Sequence, residues 1–256
     1  MRSLQPSDKP NHLASRRLTV VTPAYFTSVK PIEKLIHACS KLDLQFYMYG
    51  FAEPWPWLRW AKVTALRYEL QKIKSEYVLV TDGSDALITG DEDEIFDRYN
   101  QFRGRVVVSA EKNCWPQEEI APYFPNLDLS SPWRYINSGG YMGKTVDVIR
   151  LLTLMDSRRD LKCPEIGVYR TRDWDNDQFL MSLAYIQDPR NIVIDSKCVL
   201  FQTMGNTTEK EVTFDGNTVV NLVTNSEPVV IHFNGHAKGL EGFYNRRFEK
   251  RELTIA

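Results

Sequence analysis

An α/β domain, built on a mixed and mostly parallel sheet flanked by helices, is the fold class that the chain predicts as far as Ala110, and three observations carry it. Short apolar runs of β-forming residues alternate with longer stretches whose apolar positions recur every three or four residues. The strand candidates are apolar along their whole length rather than at every second residue, as strands covered by helices on both faces must be. Proline, glycine and an Asp-Gly pair fall at the joins between these segments.

In chain order, Leu18–Val21 reads as a buried first strand stopped by Thr22-Pro23. Pro31–Lys41 carries Ile32, Leu35, Ile36 and Cys39 at helical spacing, with Pro31 suited to a first turn. Leu44–Tyr49 is a second strand, ended by Gly50, and Trp57–Ile73 a long helix with Trp57, Ala61, Leu66, Leu70 and Ile73 near one face. Tyr77–Val80 is a continuous apolar strand running straight into Thr81-Asp82-Gly83-Ser84-Asp85. Asp91–Phe102 is a helix whose acidic start suits the macrodipole, and Arg105–Ser109 another apolar strand. Beyond Ala110 the pattern loosens. Val146–Met155 and Asp177–Ile186 read as helices; Ile192–Asp195, Val199–Phe201 and Val229–His232 as strands; Ser138-Gly139-Gly140 as either a backbone open to close approach by a ligand hydroxyl or a plain loop. No repeat, low-complexity segment or linker interrupts the chain. The expected organisation is a flexible tail over 1–16, one domain over 17–245 and a C-terminal extension over 246–256, its charged run Arg246–Glu252 a solvated helix.

Composition narrows the function. The 256 residues are 43% hydrophobic and 25% charged, so a core forms without disulfides. A net charge of −1 offers no basic excess to a nucleic-acid backbone, which points to a small polar ligand instead. Cys39, Cys114, Cys163 and Cys198 are scattered, without a Cys-x-x-Cys pair, and read as reduced thiols. Met1–Ser15 lacks the apolar stretch of a signal peptide and no run is long enough for a membrane helix; the expected location is cytoplasmic.

The main chemical signal is Asp82 and Asp85 directly after a buried strand. Ligands of open α/β sheets bind beyond the carboxyl ends of strands, and Gly83 permits a tight turn that aims both carboxylates at one point. Two converging carboxylates beside a diphosphate are reconciled by a divalent cation between them. The plainer reading is a solvated Asp-Gly turn. Val229–His232 repeats the design, an apolar strand ending in a metal-capable side chain, followed by Asn234, Gly235 and Lys238, which suit a phosphate. One imidazole among oxygens favours manganese, with magnesium the alternative. His236 is the rival ligand; His232 is preferred because it ends the strand. Asp175 and Asp177 flank Asn176 at a helix start, one of them as an N-cap and Asp177 as general base to an acceptor hydroxyl. Glu111, just past a buried strand, faces donor or acceptor. Trp55, Trp57 and Trp60 form either a sugar platform or core packing.

Six segments taken together resemble the glycosyltransferase domain of the procollagen lysyl hydroxylases (the PLOD type) and its small bacterial and viral relatives. They are Val78–Asp85, Val107–Glu111 with Trp115-Pro116, Asn137–Gly140 with Tyr141 and Gly143, Asp175–Phe179, Asp195–Gln202 and Val229–Lys238, in the family's order. The resemblance implies a GT-A-like (Rossmann-like) fold and transfer of a hexose, glucose or galactose, from a UDP-sugar to a hydroxyl acceptor on a glycan or protein. It implies that Asp82, Asp85 and His232 hold manganese, and that Asn234, Gly235 and Lys238 meet the donor diphosphate. Thr22, Lys62, Gly83 and Ser84 would lie by the donor, Ser138, Gly139 and Gly140 would line the sugar pocket, and Asp175 and Asp177 would face the acceptor. Ser84 stands where relatives often carry an aromatic residue. No hydroxylase portion is present, so lysine hydroxylation is not expected. The rival readings are a nucleotide-sugar hydrolase and a non-catalytic carbohydrate- or nucleotide-binding module.

Overall fold

A computed structural model describes residues 17–25, 28–50, 61–157, 176–215, 218–235 and 239–249. Its centre is a six-stranded sheet. The strands are β1 (Leu18–Pro23), β2 (Gln45–Tyr49), β3 (Tyr77–Thr81), β5 (Val106–Glu111), β6 (Tyr135–Lys144) and β7 (Ile192–Ile194), in the order β2-β1-β3-β6-β5-β7. The pairs β1–β2, β1–β3 and β5–β7 are parallel, and β6 alone runs antiparallel, between β3 and β5. The expected mixed, mostly parallel sheet is what the chain forms.

Strand alternation sorts the core into two layers. Val21, Val78, Val80, Val106 and Val108 face α2 (Ala61–Leu70), α4 (Thr145–Asp156) and α5 (Asp177–Gln187), meeting Leu66, Leu70, Leu152 and Leu180. Leu18, Val20, Leu79, Val107 and Met142 face the other way, towards α1 (Glu33–Lys41) and α3 (Glu92–Tyr99), packing on Leu35, Ile95 and Phe96. Both faces are buried, which is why these strands read as continuous apolar runs.

A second, three-stranded sheet stands on the α1 side: β4 (Ala86–Ile88), β11 (Val230–His232) and β8 (Phe201–Thr203), with β11 in the middle. A two-stranded ribbon, β9 (Val212–Asp215) with β10 (Thr218–Asn221), and α6 (Leu240–Tyr244) close that side. Asp195 lies fully buried beneath it, accepting the backbone N–H groups of Val199, Leu200 and Phe201 at 2.8 Å each.

Several expectations are corrected. Ser138-Gly139-Gly140 is not a loop but the middle of β6, whose glycines sit where other side chains press on the strand. Strands β4, β9 and β10 are additions, and β8 begins at Phe201 rather than Val199. Pro31 lies in a 3-10 turn, Lys30–Ile32, ahead of α1. A π-helical turn, Asn245–Glu249, occupies the start of the expected terminal helix. The expected tail over 1–16, the start of the long second helix with its tryptophans, and Cys163 lie outside the described residues; Cys39, Cys114 and Cys198 are free and buried. Among the described residues no helix is long and apolar enough to cross a membrane.

Candidate active site

Backbone pairing assembles the site. Asp82 follows β3 at the carboxyl edge of the sheet, its N–H donating to the Gly139 carbonyl of β6 at 3.0 Å. A Cβ at Gly83 would lie 2.6 Å from Ile32 Cγ2 and 2.7 Å from Thr22 Oγ1, so only glycine lets the turn sit this low. Thr22, expected beside the donor, is instead fully buried under that turn, its hydroxyl donating to the Thr81 carbonyl at 2.8 Å. Ser84 is exposed on the turn. Asp85 leads into β4, which pairs antiparallel with β11 so that Ala86 faces His232, and the Phe233 N–H donates to the Asp85 carbonyl at 2.7 Å. The second sheet thus carries His232 to the aspartate turn.

One ligand atom from each of Asp82, Asp85 and His232 lies within 4.8 Å of the others. His232 Nε2 is 3.5 Å from Asp85 Oδ2 and 3.8 Å from Asp82 Oδ2. Burial alone would lower the His232 pKa, yet the Asp85 and Asp82 carboxylates outweigh it and hold the ring above its ordinary value. Burial likewise works to raise Asp85, and the ring beside it keeps that carboxyl below the usual range. The residues fit a hard divalent cation: two carboxylates and one imidazole nitrogen converge, and the buried Asp85 Oδ1 has no hydrogen-bond partner among the described residues.

Lys62, on α2, reaches the same turn. Its Nζ is 2.7 Å from Asp82 Oδ1 and 3.3 Å from Asp177 Oδ2. Burial pulls its pKa down, but the two carboxylates, Asp177 first, hold it well above the ordinary lysine value. Lys62 therefore ties the aspartate turn to the first turn of α5. The N-cap of that helix is neither aspartate but Asn176, whose side chain accepts from the N–H groups of Gln178 and Phe179 at 3.0 and 3.1 Å. Ser138 lies beside Asp82, Lys62 and Asp177 in a narrow slot. Asp175, His236 and Lys238 lie outside the described residues.

Beside the triad opens a cleft of about 620 Å³, a size suited to a nucleotide-sized ligand, lined by Glu111, Trp115, Asn137, Gln178, Gly205 and Asn234 among others. Gly235, at positive φ, stands at its rim with open space where a side chain would be. Gly139 and Gly140, expected to line the sugar pocket, are buried against His232 and Phe201. A polar chain crosses the cleft wall: Gln178 Nε2 donates to Glu111 Oε1, Asn234 Nδ2 to Glu111 Oε2 at 3.2 Å, and the Gly205 N–H to Asn234 Oδ1 at 2.7 Å. Burial pushes the Glu111 carboxyl up to about 7, its hydrogen bond from Gln178 offsetting only part of the effect. Gly205 was not singled out by the sequence, and Asn137, Trp115 and Gln178 fell within quoted segments without a role of their own. A signal was present at Gln178, a buried amide that leads the apolar run of α5.

Comparison with known proteins bears on the fold and the family. A solved glycosyltransferase involved in glycosylation of the major capsid of PBCV-1 matches with a TM-score of 0.51 at 13% identity, covering 93% of this chain and 99% of its own, a likeness of fold. An uncharacterized protein of Acanthamoeba polyphaga mimivirus is 29% identical over 220 residues, 80% of this chain and 44% of that protein. The human multifunctional procollagen lysine hydroxylase and glycosyltransferase LH3 is 25% identical over 187 residues, 69% of this chain and 23% of that protein. The chain therefore spans less than half the length of these curated relatives. Residues 14–246 match the PLOD GT domain family, nearly the whole molecule, and the chain belongs to that family as a glycosyltransferase.

Proposed function

We propose that this glycosyltransferase moves a hexose, glucose or galactose, from a UDP-sugar to a hydroxyl group on a glycan or protein, with manganese held by Asp82, Asp85 and His232. The observation that carries the reading is the convergence of these three side chains beside the cleft. The cation, when bound, would offset the charge that develops on the departing diphosphate. Asn234 and Gly235 at the cleft rim, with Lys238, are assigned to the diphosphate, and Gly83 and Ser84 to the donor side of the turn. Lys62 holds Asp82 and Asp177 in fixed relation, so that the donor and acceptor ends keep a constant separation. Asp177, at the start of α5, is assigned to the acceptor hydroxyl as proton acceptor, with Asp175 beside it in sequence. Ser138, in the slot between them, is assigned to the sugar.

The test is UDP release from a panel of UDP-sugars, with manganese and with EDTA, in the presence and absence of simple hydroxyl acceptors. Manganese-stimulated release from one sugar supports the reading. Equal release in EDTA refutes the metal assignment, and release of free sugar that no acceptor accelerates identifies a hydrolase.

A further inference from the structure

The described residues include one imidazole in the triad, and its usefulness to a cation depends on which ring nitrogen carries the hydrogen. The structure settles this through Asn137. That side chain is only 4% exposed and sits on β6, opposite the His232 strand end. Its Oδ1 lies 2.9 Å from His232 Nδ1 and 3.0 Å from the backbone N–H of Gly139. A backbone N–H is an obligatory donor, so the atom facing it must be the amide oxygen and not the NH₂ group. The neighbouring amide is fixed the same way. The Ser138 N–H donates to Gln178 Oε1 at 3.2 Å, and that oxygen accepts from Asn137 Nδ2 at 3.4 Å. Two consecutive N–H groups of β6 thus set the orientation of both amides.

The consequence falls on His232. Its Nδ1 meets the Asn137 oxygen at 2.9 Å, whereas Nε2 meets carboxylate oxygens only at 3.5 and 3.8 Å, so the shorter contact favours the hydrogen on Nδ1 and leaves Nε2 turned to Asp82 and Asp85. The ring lies close against β6: a Cβ at Gly139 would lie 2.0 Å from His232 Cε1, so only glycine fits there. The strand passes directly against the imidazole and clamps it flat. We propose that Asn137 is a positioning residue which holds His232 as the Nδ1–H tautomer, so that the Nε2 lone pair is presented to the cation between Asp82 and Asp85. The inference rests on the metal assignment for its purpose but not for its geometry, and hydrogen-bond partners that orient a metal-binding imidazole change metal affinity by about 10–100-fold when removed.

The test separates the two. In ¹⁵N-labelled protein freed of metal, at alkaline pH where imidazoles are neutral, long-range proton–nitrogen correlations report the tautomer of His232, assigned by its loss in His232→Gln. Wild type should show hydrogen on Nδ1; hydrogen on Nε2 overturns the proposal. Asn137→Leu, of similar size but without an acceptor, should shift the ring towards the Nε2–H form and weaken manganese binding, followed by electron paramagnetic resonance, by about 10–100-fold. Asn137→Asp, which keeps an acceptor at Oδ1, should retain the wild-type tautomer and serves if the leucine variant does not fold. Unchanged tautomer and unchanged manganese affinity in a folded Asn137→Leu overturn the proposal. If wild type binds no manganese at all, the metal assignment fails, and the tautomer alone then decides the role of Asn137.

Discussion

Asp82 and Asp85 stand three residues apart on one turn and keep 27% and 39% of their side-chain surface, whereas His232 comes from a strand late in the chain and keeps 7%. The two halves of the site answer to different constraints. The carboxylate half is a local product: a buried strand ends, Gly83 turns the chain, and two anions project into solvent. The imidazole half exists only when β4, β6 and β11 are all in place, since β4 sets its register, Asn137 its tautomer and Gly139 its ring plane. A change in the first half should therefore alter chemistry and spare the fold. A change in the second should alter both.

The largest expected effect tests the first half. Asp85→Ala removes a ligand whose buried Oδ1 has no hydrogen-bond partner among the described residues, so the fold loses little. Manganese-stimulated UDP release should fall by about 10³-fold, matching the several kcal/mol a cation supplies to a departing diphosphate. Stability in EDTA should stay within about 1 kcal/mol of wild type. Added manganese should raise the melting temperature of wild type but not of the variant. A variant that loses its fold as well as its activity would erase the distinction between the two halves.

Gly139→Ala tests the second half. Its new methyl group would overlap the buried His232 ring, so strand or ring must move. Overpacking of this kind costs about 1–3 kcal/mol, and urea denaturation should register it. Manganese affinity should fall in the same variant, because the displaced ring is the ligand. A stable Gly139→Ala with intact metal binding would show the clamp to be looser than drawn here.

Glu111 supplies a pH signature on the cleft wall. Its carboxyl is raised from 4.5 to about 7, so the native state holds its proton more tightly than the unfolded chain does. Stability from this group is complete below about 4.5 and declines as pH rises through about 7, by at most about 3 kcal/mol. Asp195, raised to about 6 by burial, acts in the same direction. Wild type should therefore lose more melting temperature between pH 5 and pH 8 than Glu111→Gln, in which the Asp195 and His232 contributions remain. Parallel melting profiles for the two proteins would remove Glu111 as a burdened acid.

Much of this was legible in the chain. The two-sided apolar runs identified β1, β3 and β5, because burial on both faces leaves an unmistakable composition. The same runs ended at Asp82 and near His232, which named the triad. What stayed hidden has a physical reason in each case. Strand β6 passes through Asn137-Ser138-Gly139-Gly140, residues of poor strand propensity, because its glycines leave room for His232 and Phe201 arriving from elsewhere. Strand β4 is only three residues long and reads as the tail of a turn. Asn137 has no local signature at all, since its role appears only where β6 meets β11. Asn176 was passed over as N-cap because the aspartates on either side are equally good candidates by type, and position alone chose among them.

The smallest effect provides the control that the comparison needs. Asp91 caps α3, accepting from the Glu94 N–H at 2.9 Å while Glu94 Oε2 accepts from the Asp91 N–H at 3.0 Å. The strand β4 runs from Ala86, next to Asp85 at the site, to Ile88 at its far end, and Asp91 lies beyond that end. Asp91→Ala should cost about 1 kcal/mol, the usual worth of such a cap. It should leave manganese affinity and UDP release unchanged. The two variants then bracket the argument, one altering chemistry without stability and the other stability without chemistry. Should Asp91→Ala lower manganese affinity in proportion to its lost stability, the aspartate turn would be governed by the fold around it as fully as His232 is, and the two halves of the site would be one.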